Sequence, residues 1–274
     1  MERRRGCGYG RLGIAAVIAI IAFVGYLSSS SQNPVTGEKQ YVDLTTEQEI
    51  ALGLQAAPQM AAEFGGLDPD PQLQALVDQT GKEIVAKSAA SRSPYEFDFH
   101  LLGDRKTVNA FALPGGQVFI TRALLDRLKT RGQLAGVLGH EVGHVVGRHG
   151  AEHMAKAKLT QGLTGAAVIA ASDPENPNSA NAAVVAQMIG GLVNMKYGRD
   201  DEIESDKWGV EYVAAAGYDP RAMIEVMTIL KEAGGGGRQP EFFSTHPNPD
   251  NRIERIKQAI KAKFPNGLPN GLRP

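Results

Sequence analysis

Residues 134 to 150 read LAGVLGHEVGHVVGRHG, with three histidines, one glutamate and five glycines in a single stretch. At about 100° per residue the stretch separates into faces. Leu134, Leu138, Val142 and Val145 form an apolar stripe, and Gly136, Gly139, Gly143 and Gly147 gather on another face. Each glycine costs about 1 kcal/mol against alanine inside a helix. A whole face of them predicts that a second backbone packs very close. The sequence expectation is one helix from Gly132 to Lys158, with a partner helix against its glycines.

The same helix carries HEVGH: His140, Glu141, Val142, Gly143, His144. His140 and His144 lie one turn apart on one face, a spacing that lets two imidazoles reach one zinc ion at about 2.0–2.1 Å. Glu141 projects about 100° round, beside the metal, where a carboxylate can take a proton from metal-activated water. The chain has one cysteine, Cys7, so a cysteine-ligated site and a disulfide framework are both excluded.

A third ligand must be His, Asp or Glu. His149 falls one residue short of the position that a local third histidine takes in some zincins, and it plots on the apolar stripe, as a buried structural histidine would. His100 and His153 read as surface residues. Downstream, RDDEIESDKWGVEYV offers Asp201, Glu202, Glu204 and Asp206 as candidates. Ile203, Val210 and Val213 set the inward stripe of that helix, and Glu202 and Asp206 lie on it, whereas Glu204 and Glu211 point away. Carboxylates on a buried stripe are costly unless paired or metal-bound. Glu202 is therefore the expected third ligand, and Asp206, one turn on, is placed to hydrogen-bond a ligand histidine. The competing reading is an ion pair inside the core.

The rest of the chain frames this site. MERRRGCGYGR carries four arginines, and the uncharged run Leu12 to Leu27 follows before SSSSQNP. That is a basic segment, an apolar core and a polar exit, so residues 1–31 read as a signal anchor or signal peptide and residues 32–274 as the body. The apolar run is 16 residues, a little under a usual span. No A-x-A cleavage site follows it, which favours an anchor. Positive charge on the near side puts the body outside the cytoplasm. TTEQEIALGLQAAPQMAAEF opens with Thr46 and Glu49 in capping spacing, and DPDPQLQALVDQTGKEIVAKS starts a second amphipathic helix. YEFDFHLLG alternates as a half-buried strand, and VNAFALPGGQVFITRALL gives two short strands about Pro114-Gly115-Gly116. The Ala/Gly/Val-rich segment 160–195 reads as two helices joined by a polar loop. The class is α+β, mostly helical, with one small sheet. Lys plus Arg (29) balance Asp plus Glu (30), which gives no electrostatic reason for nucleic-acid binding.

Taken together, HEVGH at 140–144, RDDEIESD at 199–206, NAFALPGG at 109–116 and STHP followed by NR at 244–252 resemble the HtpX/Oma1/BepA-like zinc metallopeptidases, gluzincins that join HExxH to a downstream glutamate. The resemblance covers residues 33 to 264. It implies a zincin-like fold with a small sheet beside the active-site helix and one Zn2+ per subunit, held by His140, His144 and Glu202 with Glu141 as general base. It also implies that His246 and Arg252 face the site, where His246 could stabilise an oxyanion or, as is thought of some relatives, reach the zinc in a closed resting state. Ser205 departs from the alanine usual in the family and leaves both acidic positions intact. Some relatives carry helical repeats after the peptidase domain or several long membrane spans, and neither is expected in this sequence.

The expected function is a metalloendopeptidase, a zinc hydrolase of peptide bonds in unfolded or misfolded proteins of the bacterial envelope. Asn109, Ala110, Phe111, Ala112 and Leu113 are the expected substrate-binding strand, because an extended peptide can pair with an exposed sheet edge. The expected partners are extended polypeptides and, through the N-terminal segment, the inner membrane, with no nucleic acid. The rival reading is an envelope chaperone that holds peptides and rarely cuts.

Overall fold

In this computed structural model the described residues are 7–171, 196–234, 240–247 and 251–274, with side chains described from Leu12 and, in the long helix below, as far as Leu163. The sequence readings for residues 1–6, 172–195, 235–239 and 248–250 lie outside them. Helix α1 (Cys7–Ser28) leads into a two-stranded antiparallel ribbon, β1 (Ser30–Gln32) and β2 (Lys39–Tyr41). Helices α2 (Thr46–Glu63) and α3 (Pro71–Lys87) follow. Then come β3 (Asp98–Leu102), β4 (Ala110–Ala112), β5 (Gln117–Thr121), the one-turn α4 (Arg122–Leu125), α5 (Arg131–Gly147) and α6 (His149–Ala171). The last described helices are α7 (Arg199–Ala215), α8 (Ala222–Ala233), the short α9 (Phe242–Thr245) and α10 (Arg252–Lys263). The fold is α+β and mostly helical, as the sequence patterns indicate.

The sheet order is β3-β5-β4. β5 runs parallel to β3 and antiparallel to β4, with Phe111 opposite Phe119. Its tight turn is built from Gly115 and Gly116, both at positive φ, and α2 presses on it so closely that a Cβ at Gly115 would meet the Ile50 Cα at 2.5 Å.

α5 is the axis of the core: every residue from Gly132 to Gly147 is buried. Leu134, Leu138, Val142 and Val145 join a cluster with the sheet residues Leu101, Val118 and Ile120, and with Val210 and Val213 of α7. Gly139 and Gly143 meet the helix that the glycine face predicts, whereas Gly136 meets Met223 of α8 and Gly147 meets the ring of His149. A Cβ on Gly143 would lie 3.0 Å from the Ser205 carbonyl oxygen, and one on Gly139 would lie 2.8 Å from a Val213 methyl. Close approach also lets the Ser205 hydroxyl donate to the His140 carbonyl at 2.6 Å.

Three local details differ from the sequence expectation. α2 is capped by Thr45, not Thr46, and Gln48 completes the capping box. That releases Glu49 from the cap and turns it inward. The helix expected over 132–158 is two helices, broken at Arg148 in the left-handed region with φ 58°. The Arg148 guanidinium donates from Nε to Glu49 at 2.9 Å and from its terminus to the Leu44 carbonyl at 2.9 Å, while Tyr95 donates to the other Glu49 oxygen at 3.0 Å. Finally, Glu204 is half-buried and accepts from Trp208 at 3.3 Å, so it does not stand in solvent.

α1 lies along α6, where a Cβ on Gly162 would touch Ala22 at 2.7 Å. Its other sides leave Leu12, Ile14, Val17, Ile20, Ile21, Phe23 and Val24 exposed. Among the described residues no helix is long and apolar enough to cross a membrane.

Candidate active site

Four elements converge on one buried cluster. α5 contributes His140, Glu141 and His144, α7 contributes Glu202 and Asp206, the turn after α9 contributes His246, and the first residue of α10 is Arg252. His140, His144, Glu202 and His246 place their ligand-type atoms within 4.8 Å of one another. The Nε2 atoms of His140 and His144 are 3.0 Å apart. Glu202 lies 3.5 Å from His140 and 3.3 Å from His144. His246 Nδ1 is 2.9 Å from Glu202 and 3.4 Å from His140 Nε2. A tetrahedron with bonds of about 2.0–2.1 Å has edges of roughly 3.3 Å, so these separations suit a zinc ion. Atoms without a hydrogen bond make the same case: His246 Nε2 and both oxygens of Glu141 are buried and form none, and His246 Nε2 and Glu141 Oε1 stand 3.5 Å apart.

Around the donors stands a supporting layer. Asp206 accepts from His140 Nδ1 at 3.0 Å and takes both Nε and a terminal nitrogen of Arg252 at 2.8 Å. Arg252 reaches Glu202 Oε2 at 2.9 Å with its remaining nitrogen. His149 is buried and sits 2.9 Å from His144 Nδ1, with Glu204 3.6 Å beyond it. Each expected ligand histidine thus has a partner on its second ring nitrogen, which fixes the tautomer that leaves the inward nitrogen free to bind.

Charge follows from this packing. Burial opposes ionisation of Glu202, but the charges of His246 and Arg252 and the hydrogen bonds of His140 and His144 hold its carboxyl well below the usual range. Burial and the Arg252 charge disfavour protonated His140, yet Asp206 and Glu202 outweigh them and raise it to about 9. Burial alone dominates at His144 and drives it well down. Glu141 is pushed up by burial, against the pull of His246 and His140. Its carboxyl is thereby a better proton carrier than an exposed glutamate near neutral pH.

The family's sequence profile, that of peptidase family M48, matches residues 71–260, more than two thirds of the chain and all of this cluster. The chain belongs to peptidase family M48. M48 members are zinc metalloproteases, and the donor set described above is a zinc donor set. The chain is 30% identical to the beta-barrel assembly-enhancing protease of Yersinia pestis over 88% of its own length and 50% of that protein. It is 28% identical to the Escherichia coli K12 protein of the same name over 83% of this chain and 47% of that one. Identity to the mitochondrial metalloendopeptidase OMA1 of Schizosaccharomyces pombe is 29%, over 88% of this chain and 70% of that protein. The chain spans about half the length of the bacterial relatives it matches.

The expected substrate strand, Asn109 to Leu113, is the edge of its sheet and lies beside the cluster, but it is not open. Leu113 and Asn109 turn their backbone groups to β5, so Val108, Ala110 and Ala112 face outward. The Phe242 amide donates to Val108 O at 3.2 Å, and the Tyr197 hydroxyl donates to Ala112 O at 3.4 Å. Tyr197 also stacks on His144 with ring centroids 3.8 Å apart. Neither aromatic was singled out from sequence. Tyr197 stands two residues before α7 and Phe242 just before a histidine turn, and no spacing rule marks either.

Proposed function

We propose that this M48 member is a zinc-dependent endopeptidase that cuts unfolded or misfolded polypeptides outside the cytoplasm. The observation that carries the reading is the buried set of His140, His144 and Glu202 with Glu141 beside it, buried and without a hydrogen bond. In this reading the three bind zinc, which when present supplies a Lewis acid and water of lowered pKa. Glu141 takes the proton from that water and delivers it to the leaving amine. Asp206 and His149 hold the ring orientations of His140 and His144. Arg252, spread over Asp206 and Glu202, fixes both carboxylates, and His246, once it leaves its present place, donates to the oxygen anion that develops on the scissile carbonyl. The outward backbone of β4 receives the substrate as an added strand. Strand addition reads backbone more than side chains, so the chain would select extended segments and spare folded ones.

His246 stands among the three expected ligands, where it would take the fourth place that catalytic zinc sites keep open. The enzyme would therefore rest closed. The same closure favours the second reading, an envelope chaperone with latent proteolysis.

For location, we take residues 1–31 as an anchor that holds a body of residues 32–274 at the periplasmic face of the inner membrane. Support comes from the arginines before Leu12 and from the exposed apolar side chains of α1. The test of function is digestion of unfolded casein by the full chain with zinc, beside Glu141→Gln. Cleavage by the first alone carries the endopeptidase reading. Zinc-loaded protein that binds casein and never cuts it would favour the chaperone.

A further inference from the structure

The helical turn Phe242–His246 occupies two places that an extended substrate would need. The Phe242 amide bonds to Val108 O on the outward edge of β4, the kind of bond an added strand makes. Four residues on, His246 reaches Glu202 and His140. At the first of these ends the Phe242 ring, 2% exposed, packs with Val137, Met223, Val226, Met227 and Ile256 and lines a cavity with them, so that its departure would widen that cavity into an apolar seat. The walls are branched aliphatics and thioethers, which adapt to bulky apolar shapes. The only polar groups there are His140, Asp206 and Arg252, which are already engaged with one another. A second cavity adjoins Ala112 and His144, but its charged residues, Glu49 and Arg148, are paired together and ask nothing of a ligand.

We infer that the seat of Phe242 is a substrate side-chain subsite that takes a large apolar residue at one fixed position beside the scissile bond. The inference rests on the endopeptidase reading and on strand addition along β4. When Phe242–His246 withdraws, Val108 O and the seat open together, and a peptide that takes the first is aligned for the second. A polar side chain there would lose its water with no free partner, while an aromatic or leucine-sized one would regain the burial that Phe242 gives up. The difference amounts to on the order of tenfold or more in selection.

The test is a map of cleavage sites in unfolded casein, made by mass spectrometry with the zinc-loaded full chain and with Val226→Phe, which fills the seat. Expected is an enrichment of about tenfold for Phe, Tyr, Leu and Met at one position, replaced in Val226→Phe by Ala, Ser and Gly. If Val226→Phe does not fold, Met227→Ala should widen the seat and shift the preference toward Trp. Cleavage with no preference at any position, or a preference unmoved by the wall variant, would overturn the subsite and leave the endopeptidase intact. No cleavage would count against the endopeptidase, and the seat is then decided by calorimetry on Phe242→Ala. N-acetyl-phenylalaninamide binding at least tenfold tighter than N-acetyl-serinamide keeps the seat, and equal or undetectable binding removes it.

Discussion

Gly143→Ala should damage metal binding out of proportion to stability. The added methyl would sit 2.7 Å from Ser205 Oγ, 3.0 Å from Ser205 O and 3.1 Å from Ser205 Cα. The hydroxyl could rotate away, at the cost of its bond to the His140 carbonyl, but the backbone atoms cannot. Reaching ordinary contact at about 3.5 Å requires α5 and α7 to part by roughly 0.4–0.5 Å. Glu202 rides on α7 three residues before Ser205, while His140 and His144 ride on α5. A zinc site tolerates errors of about 0.2 Å in its distances. We expect zinc affinity to fall by on the order of tenfold to a hundredfold. Overpacking of about 1–3 kcal/mol, offset by the helix gain of about 1 kcal/mol over glycine, leaves a net stability loss of roughly 0–2 kcal/mol. Gly139→Ala is the control. Its hard contact is a Val213 methyl at 2.8 Å, with the nearest backbone atom at 3.5 Å, so a side-chain adjustment relieves it. Competition with a chromophoric chelator and thermal melts of the apo forms separate the two quantities. Equal zinc affinity in Gly143→Ala and Gly139→Ala would refute the idea that interhelical spacing sets the site.

Other perturbations have definite outcomes. Arg148→Ala strands the buried Glu49 carboxylate, and urea unfolding should show a loss of about 3–5 kcal/mol. Arg148→Gly, which suits the left-handed backbone, should recover only a small part of it. Glu83 is disfavoured as an anion by burial, but hydrogen bonds from Lys87, Tyr218 and Arg273 win and lower it from 4.5 to about 2. Its folded pKa lies below its unfolded one, so its contribution is whole above about pH 4.5 and is lost as pH falls toward 2. Glu83→Gln should flatten the acid limb of a melting-temperature profile over that window, and an unchanged limb would show that other carboxylates govern it. Chelation should lower the melting midpoint as well as stop cleavage, because a ligand held by the folded state alone stabilises it in proportion to the logarithm of its concentration.

The parts of this fold that read clearly from sequence are those fixed by short periodicities. The glycine face of α5, the one-turn spacing of His140 and His144 and the inward stripe of α7 all depend on local geometry that 3.6 residues per turn determines. What did not read depends on distant partners. The break at Arg148 goes against the propensity of arginine and is held by Glu49, 99 residues earlier. Thr45 and Thr46 are chemically equal caps, and the inward pull on Glu49 decides between them. The covered edge of β4 is likewise invisible locally, since Tyr197 and Phe242 reach it from beyond α6 and α8. His246 and Arg252 entered through family resemblance, because a histidine in a proline-rich turn carries no periodicity to interpret.

The cluster is drawn from positions far apart in the chain: Ser205 bonds His140 across 65 residues, and Arg252 approaches it across 112. Contacts of such separation form late, after the intervening chain has been made and folded. A nascent copy with α5 complete but α7 and α10 unmade would hold HEVGH and no Glu202, Asp206 or Arg252 to go with it. Synthesis order is thus itself a safeguard, since the donor set is incomplete until the chain has been made and folded through α10.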